Sequence, residues 1–449
     1  MHTTFKKALT WNSSTAFLYK AILLFHQIML YAVISKPLYG IQSTLFAAIY
    51  ALIACTNFGF EETLLPFFST YSQSKQQFKQ ILHHFILRII AVAIISMIFY
   101  ITLLSAPFTF IQNIRLYCDD TVILLIPLIF FIESIKKSIS TMIQLAFLQK
   151  NISYAELGML VSYVTIIWTI FAIQTNISLY TIFIPMLITT SCELLYLSYI
   201  FIQYYQQLSL HSMPHAKIPL QTLFMQRLFN WIHQVTKTFF SPNTMTIMFA
   251  YVLGFQQAAT IKFFTNIITL GYTCIHKTVG ISSGVALSAI NHAPIEKIKE
   301  IFQEVTQAYF KFLYTMSFVI ASVVGYSYYV AAITPLMALQ IIIFFCIGFL
   351  EQITLTYEQL FMSQKKSKFL ASINLAEVSL LLPTFYFNEF MHGYTILLIF
   401  VIVKLLSLMC IELLASKFWN IQPIVSCNLC IKIAVSISIA IVCIFMVYI

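Results

Sequence analysis

Apolar runs of about 20 residues or more recur along the whole chain, and this pattern narrows the possible folds more than any motif does. At about 1.5 Å of rise per residue, such a run carries a helix across the hydrocarbon core of a bilayer. A membrane barrel would instead show strands of about 10 residues with alternating polarity. Water offers no alternative. Of 449 residues, 60% are hydrophobic and 9% are charged, whereas soluble domains carry roughly 25% charged residues. In hydrocarbon every backbone N–H and C=O must be paired within the protein, which leaves helices as the spanning element. The chain reads as an all-α polytopic membrane protein.

Thirteen apolar segments are expected, at 15–35, 39–68, 82–105, 121–148, 152–174, 178–205, 221–253, 256–288, 305–329, 333–362, 369–387, 392–416 and 428–449. The first, from Thr15 to Ile34, is too long for the core of a secretory signal and lacks a small-residue cleavage site. The seventh contains Ser241-Pro242-Asn243, which predicts a kink or a break there.

The formal net charge of +10 is distributed as a topology signal and not as a nucleic-acid patch. Lys6, Lys7, Lys75, Lys79, Lys150, Lys217, Lys297, Lys299, Lys365, Lys366, Lys368 and Lys417 fall in every second loop. The alternate loops offer Lys36 and Arg115, the latter offset by Asp119 and Asp120. The basic loops, and with them the N-terminus, are expected on the cytoplasmic side. Nucleic acid is not an expected partner. Cys427 and Cys430 form a single C-x-x-C without a second pair, so no metal or redox cofactor is expected.

A polar stretch at 206–220 divides the spans into six and seven. The halves show weak self-similarity at an offset of 218–220: Phe68-Ser69 matches Leu287-Ser288, and Phe78-Lys79-Gln80-Ile81-Leu82 resembles Ile298-Lys299-Glu300-Ile301-Phe302. An even number of spans per half makes a parallel repeat, with substrate bound between the halves. The expected architecture is two six-helix bundles related by a pseudo-two-fold along the membrane normal: residues 1–205, a cytoplasmic linker at 206–220, and residues 221–416. An additional C-terminal span is expected within 417–449.

Ionisable residues inside apolar spans are costly and therefore informative. Lys20 and His26 lie in the first span, His233 and Lys237 in the seventh, and Lys262, His276 and Lys277 in the eighth. The repeat brings the first and seventh spans towards one cleft, and ammonium groups gathered there suit a phosphate or pyrophosphate. Lysine stems that merely snorkel to the interface are the competing explanation. Glu61 and Glu62, after Asn57-Phe58-Gly59, are candidates for coupling transport to a proton or Na⁺ gradient, with structural ion pairing as the alternative. Glu133 precedes Lys136 and Lys137 by three and four residues, the spacing of a helical ion pair. Glu193, Glu351, Glu358, Glu377 and Glu412 are further isolated carboxylates.

From Lys36 to Ile81 the chain reads KPLYGIQSTLFAAIYALIACTNFGFEETLLPFFSTYSQSKQQFKQI. Tyr-Gly opens an apolar span, Asn-Phe-Gly-Phe follows, and a Phe-Ser end leads into a basic loop. This resembles the polysaccharide and oligosaccharide-lipid flippases, the Wzx-type branch of the multidrug/oligosaccharidyl-lipid/polysaccharide exporter superfamily. Leu253-Gly254-Phe255 looks like the second-half counterpart, although Gln257-Ala258 replaces Tyr-Gly.

The resemblance implies V-shaped paired bundles with alternating access to a central cavity in a bacterial inner membrane. It also implies a polyprenyl-pyrophosphate sugar as substrate, held in a cationic cavity that Lys20, Lys237 and Lys262 would line where arginine is more usual. A monomer among membrane lipids is the expected assembly, and no enzymatic activity is expected. Two other functions fit the residues: a multidrug or cation antiporter of the same superfamily, and a membrane glycosyltransferase or ligase with Asp119-Asp120 as metal ligands.

Overall fold

The computed structural model describes residues 2–61, 63–64, 75–106, 108–146, 148–174, 177–208, 220–239, 241–275, 294–304, 306–307, 318, 322, 325, 334–364, 366–386 and 393–423. These form helices and the connections between them. The helices are α1 (His2–Val33), α2 (Lys36–Cys55), α3 (Lys75–Ser105), α4 (Thr109–Arg115), α5 (Asp120–Leu145), α6 (Gln149–Ile173) and α7 (Tyr180–Gln207). They continue with α8 (Leu220–Phe239), α9 (Pro242–Leu253), α10 (Phe255–Ile275), α11 (Pro335–Ser363), α12 (Ser367–Tyr386) and α13 (Gly393–Trp419). A further helical run occupies 295–304.

Among the described residues, six helices are long and apolar enough to cross a membrane: Lys36–Cys55, Phe78–Ser105, Lys150–Ile173, Tyr180–Gln207, Leu339–Met362 and Leu398–Trp419. All six coincide with expected segments, and the protein is a multi-pass α-helical membrane protein. The helix α5 carries Glu133, Lys136 and Lys137 in its middle, which is why its composition alone does not qualify it. The thirteenth segment, with Cys427 and Cys430, lies outside the described residues, as do 209–219 of the expected linker.

The contacts divide the chain into two compact units, Met1–Leu270 and Gly271–Ile449. In the first, α5 packs along α7 and α3, α6 along α7 and α1, and α2 against α5, α8 and α9. In the second, α13 packs along α11 and α12. The core of the first unit is continuous through Ile41, Leu45, Ile49, Ile126, Ile129, Phe130 and Phe183, all buried. Hydroxyls within the helices bond back to carbonyls of the preceding turn, as Thr44 does to Gly40 (2.7 Å) and Ser134 to Phe130 (2.7 Å), which pairs these buried donors.

Two expected spans are interrupted. The seventh breaks at the predicted place: α8 ends at Phe239 and α9 begins at Pro242, with the Ser241 hydroxyl accepting the Thr244 N–H at 3.3 Å. Proline at the first helical position needs no N–H acceptor, so the break leaves few orphan groups. The second span, expected to run unbroken over 39–68, instead stops at Cys55. Residues Thr56 to Gly59 form a turn, in which Phe58 (φ 50°) and Gly59 (φ 66°) both enter the left-handed region. Asn57-Phe58-Gly59 is therefore a helix break, and Glu61 lies beyond it rather than within a continuous span.

Candidate functional site

Two groups of paired charges stand out among the described residues of the first unit. In the first, Lys136 on α5 bridges two carboxylates, Glu133 at 2.8 Å and Glu193 of α7 at 3.0 Å. Thr190 donates to the same Glu133 oxygen at 3.1 Å. Both carboxylates are almost fully buried, and the Lys136 side chain is only 17% exposed. The helical spacing of Glu133 and Lys136 produces the ion pair the sequence suggested. The second carboxylate arrives only because α5 and α7 lie side by side.

The second group sits at the α2 break. Arg88 of α3, buried, donates to Glu61 at 3.2 Å and to the Ser138 hydroxyl. Lys137 of α5 reaches the other Glu61 oxygen at 3.4 Å. Glu61 is thus doubly paired, while Glu62 lies outside the described residues. Helix α8 completes the arrangement. The Trp231 indole N–H donates to the Cys55 carbonyl at 2.8 Å, and the Arg227 Nε donates to the Phe58 carbonyl at 2.8 Å. Asn230 donates to Thr63 at 3.3 Å, and Arg227 meets His84 Nδ1 at 3.3 Å. Carbonyls left orphaned where a helix stops need donors, above all in a membrane. Gly59 makes the approach possible: a Cβ there would stand 2.2 Å from the Arg227 carbonyl oxygen.

The expected cationic positions are distributed along α1, α8 and α10. Lys20 is half-buried on α1 beside the Tyr19 ring. One and a half turns on, His26 is fully buried, edge-on to Tyr163 at 5.4 Å and to Trp168 at 6.1 Å, and neither of its ring nitrogens has a hydrogen-bond partner among the described residues. On α8, His233 is buried and Lys237 half-buried. Lys262 is half-buried on α10, with no carboxylate at ion-pair distance among the described residues. His276 and Lys277 lie outside the described residues.

Helix α10 meets α1 and α2 through one face, Thr260, Phe263 and Asn266. Thr260 shares a hydrogen bond with Tyr31 at 3.1 Å, Phe263 stacks on the Tyr31 ring at 4.6 Å, and Asn266 donates to the Tyr39 hydroxyl at 3.3 Å. Tyr39 in turn donates to Gln27 at 2.9 Å. Gly40 lets these backbones touch, since a Cβ would lie 2.1 Å from the Phe255 carbonyl oxygen. Lys20 and Lys262 are thus carried by helices joined through this polar and aromatic seam.

The second unit repeats the theme of the first. Lys404 of α13 pairs with Glu377 of α12 at 3.2 Å, both side chains 3% exposed, and Tyr357 of α11 donates to Glu412 of α13 at 3.0 Å. Glu351 follows Glu133 by 218 positions, and Glu412 follows Glu193 by 219. The carboxylates of α5 and α7 therefore recur on α11 and α13, within the offset at which the two halves of the sequence resemble each other.

Sequence reasoning overlooked Arg88 and Arg227, the two guanidiniums at the break. An arginine inside the apolar third segment was itself the available signal. The Asp119-Asp120 pair serves the fold: Asp119 accepts the Val122 N–H at 2.9 Å at the start of α5, and Asp120 stands 4.0 Å from Arg115. No group of three potential metal ligands occurs among the described residues.

No protein-family profile and no curated protein sequence matches this chain. Solved structures do. A MOP superfamily transporter from Pyrococcus furiosus, described as having a binding pocket of reversed polarity that suggests a different function, superposes with a TM-score of 0.63 at 10% identity, over 93% of this chain and 96% of its own. The MATE multidrug transporter DinF-BH gives 0.62 at 13% identity, over 92% and 95%. An outward-facing multidrug resistance MATE family transporter gives 0.61 at 10% identity, over 93% and 96%. The chain has the fold of the MATE transporters. The MATE fold comprises two helical bundles, in keeping with the expected architecture, and it covers nearly the whole chain. The structurally similar proteins are transporters and not enzymes.

Proposed function

We propose that this protein is a transporter of the MOP superfamily that moves a lipid-linked oligosaccharide across a bacterial inner membrane by alternating access. The polyprenyl-pyrophosphate headgroup is the anion that its cationic residues neutralise, while the lipid tail stays in the bilayer. The N-terminus faces the cytoplasm on this reading, and the working unit is a monomer. The observation that supports it most is Lys262, an ammonium on an apolar helix with no carboxylate partner among the described residues. A cation in that position is stabilised by an anionic ligand and repelled by a cationic drug. Lys20 and Lys237 add to the same charge. The reversed pocket polarity described for the Pyrococcus furiosus protein is a precedent within the same fold.

The test is translocation of a fluorescent undecaprenyl-pyrophosphate sugar in liposomes, with and without an ion gradient. Protein-dependent movement that weakens in Lys262→Ala and Lys237→Ala is the expected result. Movement unchanged in the double variant would remove both lysines from the site.

A multidrug or cation antiporter is the second reading, supported by the buried carboxylates Glu377 and Glu412 of the second unit and by the multidrug transporters among the structural neighbours. Resistance conferred on a drug-sensitive host, lost in Glu377→Gln, would favour it over lipid transport.

A further inference from the structure

The cleft of about 290 Å³ between α4 and the α9–α10 corner is lined by Phe110, Tyr117, Tyr251 and Phe255 with Thr109 and Asn113, and carries no charged group. The Lys404–Glu377 pair of the second unit is buried and closed. The group at the α2 break differs from both, because its charges do not balance.

Arg88 is 2% exposed, and its two contacts, Glu61 and Ser138, use one terminal nitrogen only. Its Nε and its other terminal nitrogen have no partner among the described residues. Those two donors form one edge of the guanidinium fork, the edge that accepts two oxygens of a phosphate or carboxylate at once. Arg227 approaches the same place from α8: the Phe60 ring lies 5.6 Å from the Arg88 guanidinium and 6.0 Å from that of Arg227. Lys137 adds a third cation, with its side chain 41% exposed. Among the described residues, Glu61 is the one carboxylate paired with this group. A buried guanidinium with unmet donors is costly to fold around unless something else supplies the acceptors.

We propose that Arg88, Lys137 and Arg227 form a binding site for a phosphate-class anion, which takes the open fork edge of Arg88 and competes with the Glu61 carboxylate for Lys137. The fork edge of Arg88 takes two ligand oxygens, and Lys137 is the accessible edge at which the anion first arrives. Arg227 links the site to the helix break, because its Nε holds the Phe58 carbonyl. Lys75 and Lys79 open α3 and Lys217 precedes α8 in sequence, and all three are expected on the cytoplasmic side. On the transport reading, on which this assignment of the ligand rests, the site receives the pyrophosphate of a lipid-linked sugar on the side where it is made.

The experiment is calorimetric titration of inorganic pyrophosphate into the full-length protein in nanodiscs of zwitterionic lipid. Glu61→Gln removes the internal competitor and binds about tenfold tighter, whereas Lys137→Gln binds about tenfold weaker, each ~1.4 kcal/mol. Loss of folding cannot produce opposite shifts. Equal affinity in all three proteins, or no binding by wild type and Glu61→Gln alike, overturns the site. Repeating the titration with a polyprenyl pyrophosphate in the disc identifies the source: blocked binding assigns the lipid headgroup, and undiminished binding overturns the loading role. If pyrophosphate binds as described while no lipid-linked sugar crosses the liposome membrane, the site stands and the flippase reading falls.

Discussion

Replacing Lys136 by methionine isolates the contribution of an ammonium shared by two carboxylates. Its ammonium stands 2.8 Å from Glu133 and 3.0 Å from Glu193, and both carboxylates are nearly buried. Without the lysine, two like charges remain in an apolar bundle, one of them held by the Thr190 hydroxyl. Breaking a buried pair by deleting one partner costs about 3–5 kcal/mol. The partial exposure of Lys136 places the expected loss near ~3 kcal/mol, about a hundredfold in the folded-to-unfolded ratio. The assay is unfolding of the protein in mixed micelles by titration with a denaturing detergent, followed by circular dichroism. Adding Glu133→Gln and Glu193→Gln to Lys136→Met removes the stranded charges and restores all but about 1 kcal/mol, since neutral replacement of a whole buried pair is tolerated. A single variant as stable as wild type, or a triple variant no better than the single, would refute the argument. Transport by the triple variant then separates roles: retained activity means the trio is structural, and lost activity in a stable protein means that it works in the transport cycle.

Three other expectations follow from particular residues. Gly40→Ala places a methyl against the Phe255 carbonyl oxygen, so thermal unfolding in detergent should show a loss of about 1–3 kcal/mol, and an unchanged midpoint would contradict the close approach. Ser241→Ala removes the cap that accepts the Thr244 N–H and should cost about 1 kcal/mol, with Ser241→Asp close to wild type in the same assay. Cys118 lies in the connection between α4 and α5, where burial pushes its thiol up to about 12. A thiol whose folded value is raised holds its proton well past neutrality, so maleimide should label Cys118 slowly at pH 8 and faster only after unfolding. Rapid labelling of the folded protein at that pH would show the group to be exposed.

The apolar runs by themselves determined that the chain is helical and crosses a membrane, because hydrocarbon permits a spanning segment no other way to pair its backbone. Ser241-Pro242-Asn243 located the break in the seventh segment, since proline's missing N–H and the serine cap are local chemistry. The Glu133–Lys136 pair was legible for the same reason, as a spacing on one helix. The halt of α2 at Cys55 was not, because Asn57-Phe58-Gly59 is apolar enough to extend a span. Only the donors of Trp231 and Arg227, about 170 residues later in the chain, make a stop there affordable. Tertiary structure likewise decided the partners of Glu61, brought to it by α3 and α5, and the second carboxylate of Lys136, brought by α7. Which charges meet across helices depends on which faces pack together, and an apolar helix bordered by others on several sides carries no periodic stripe to announce that choice.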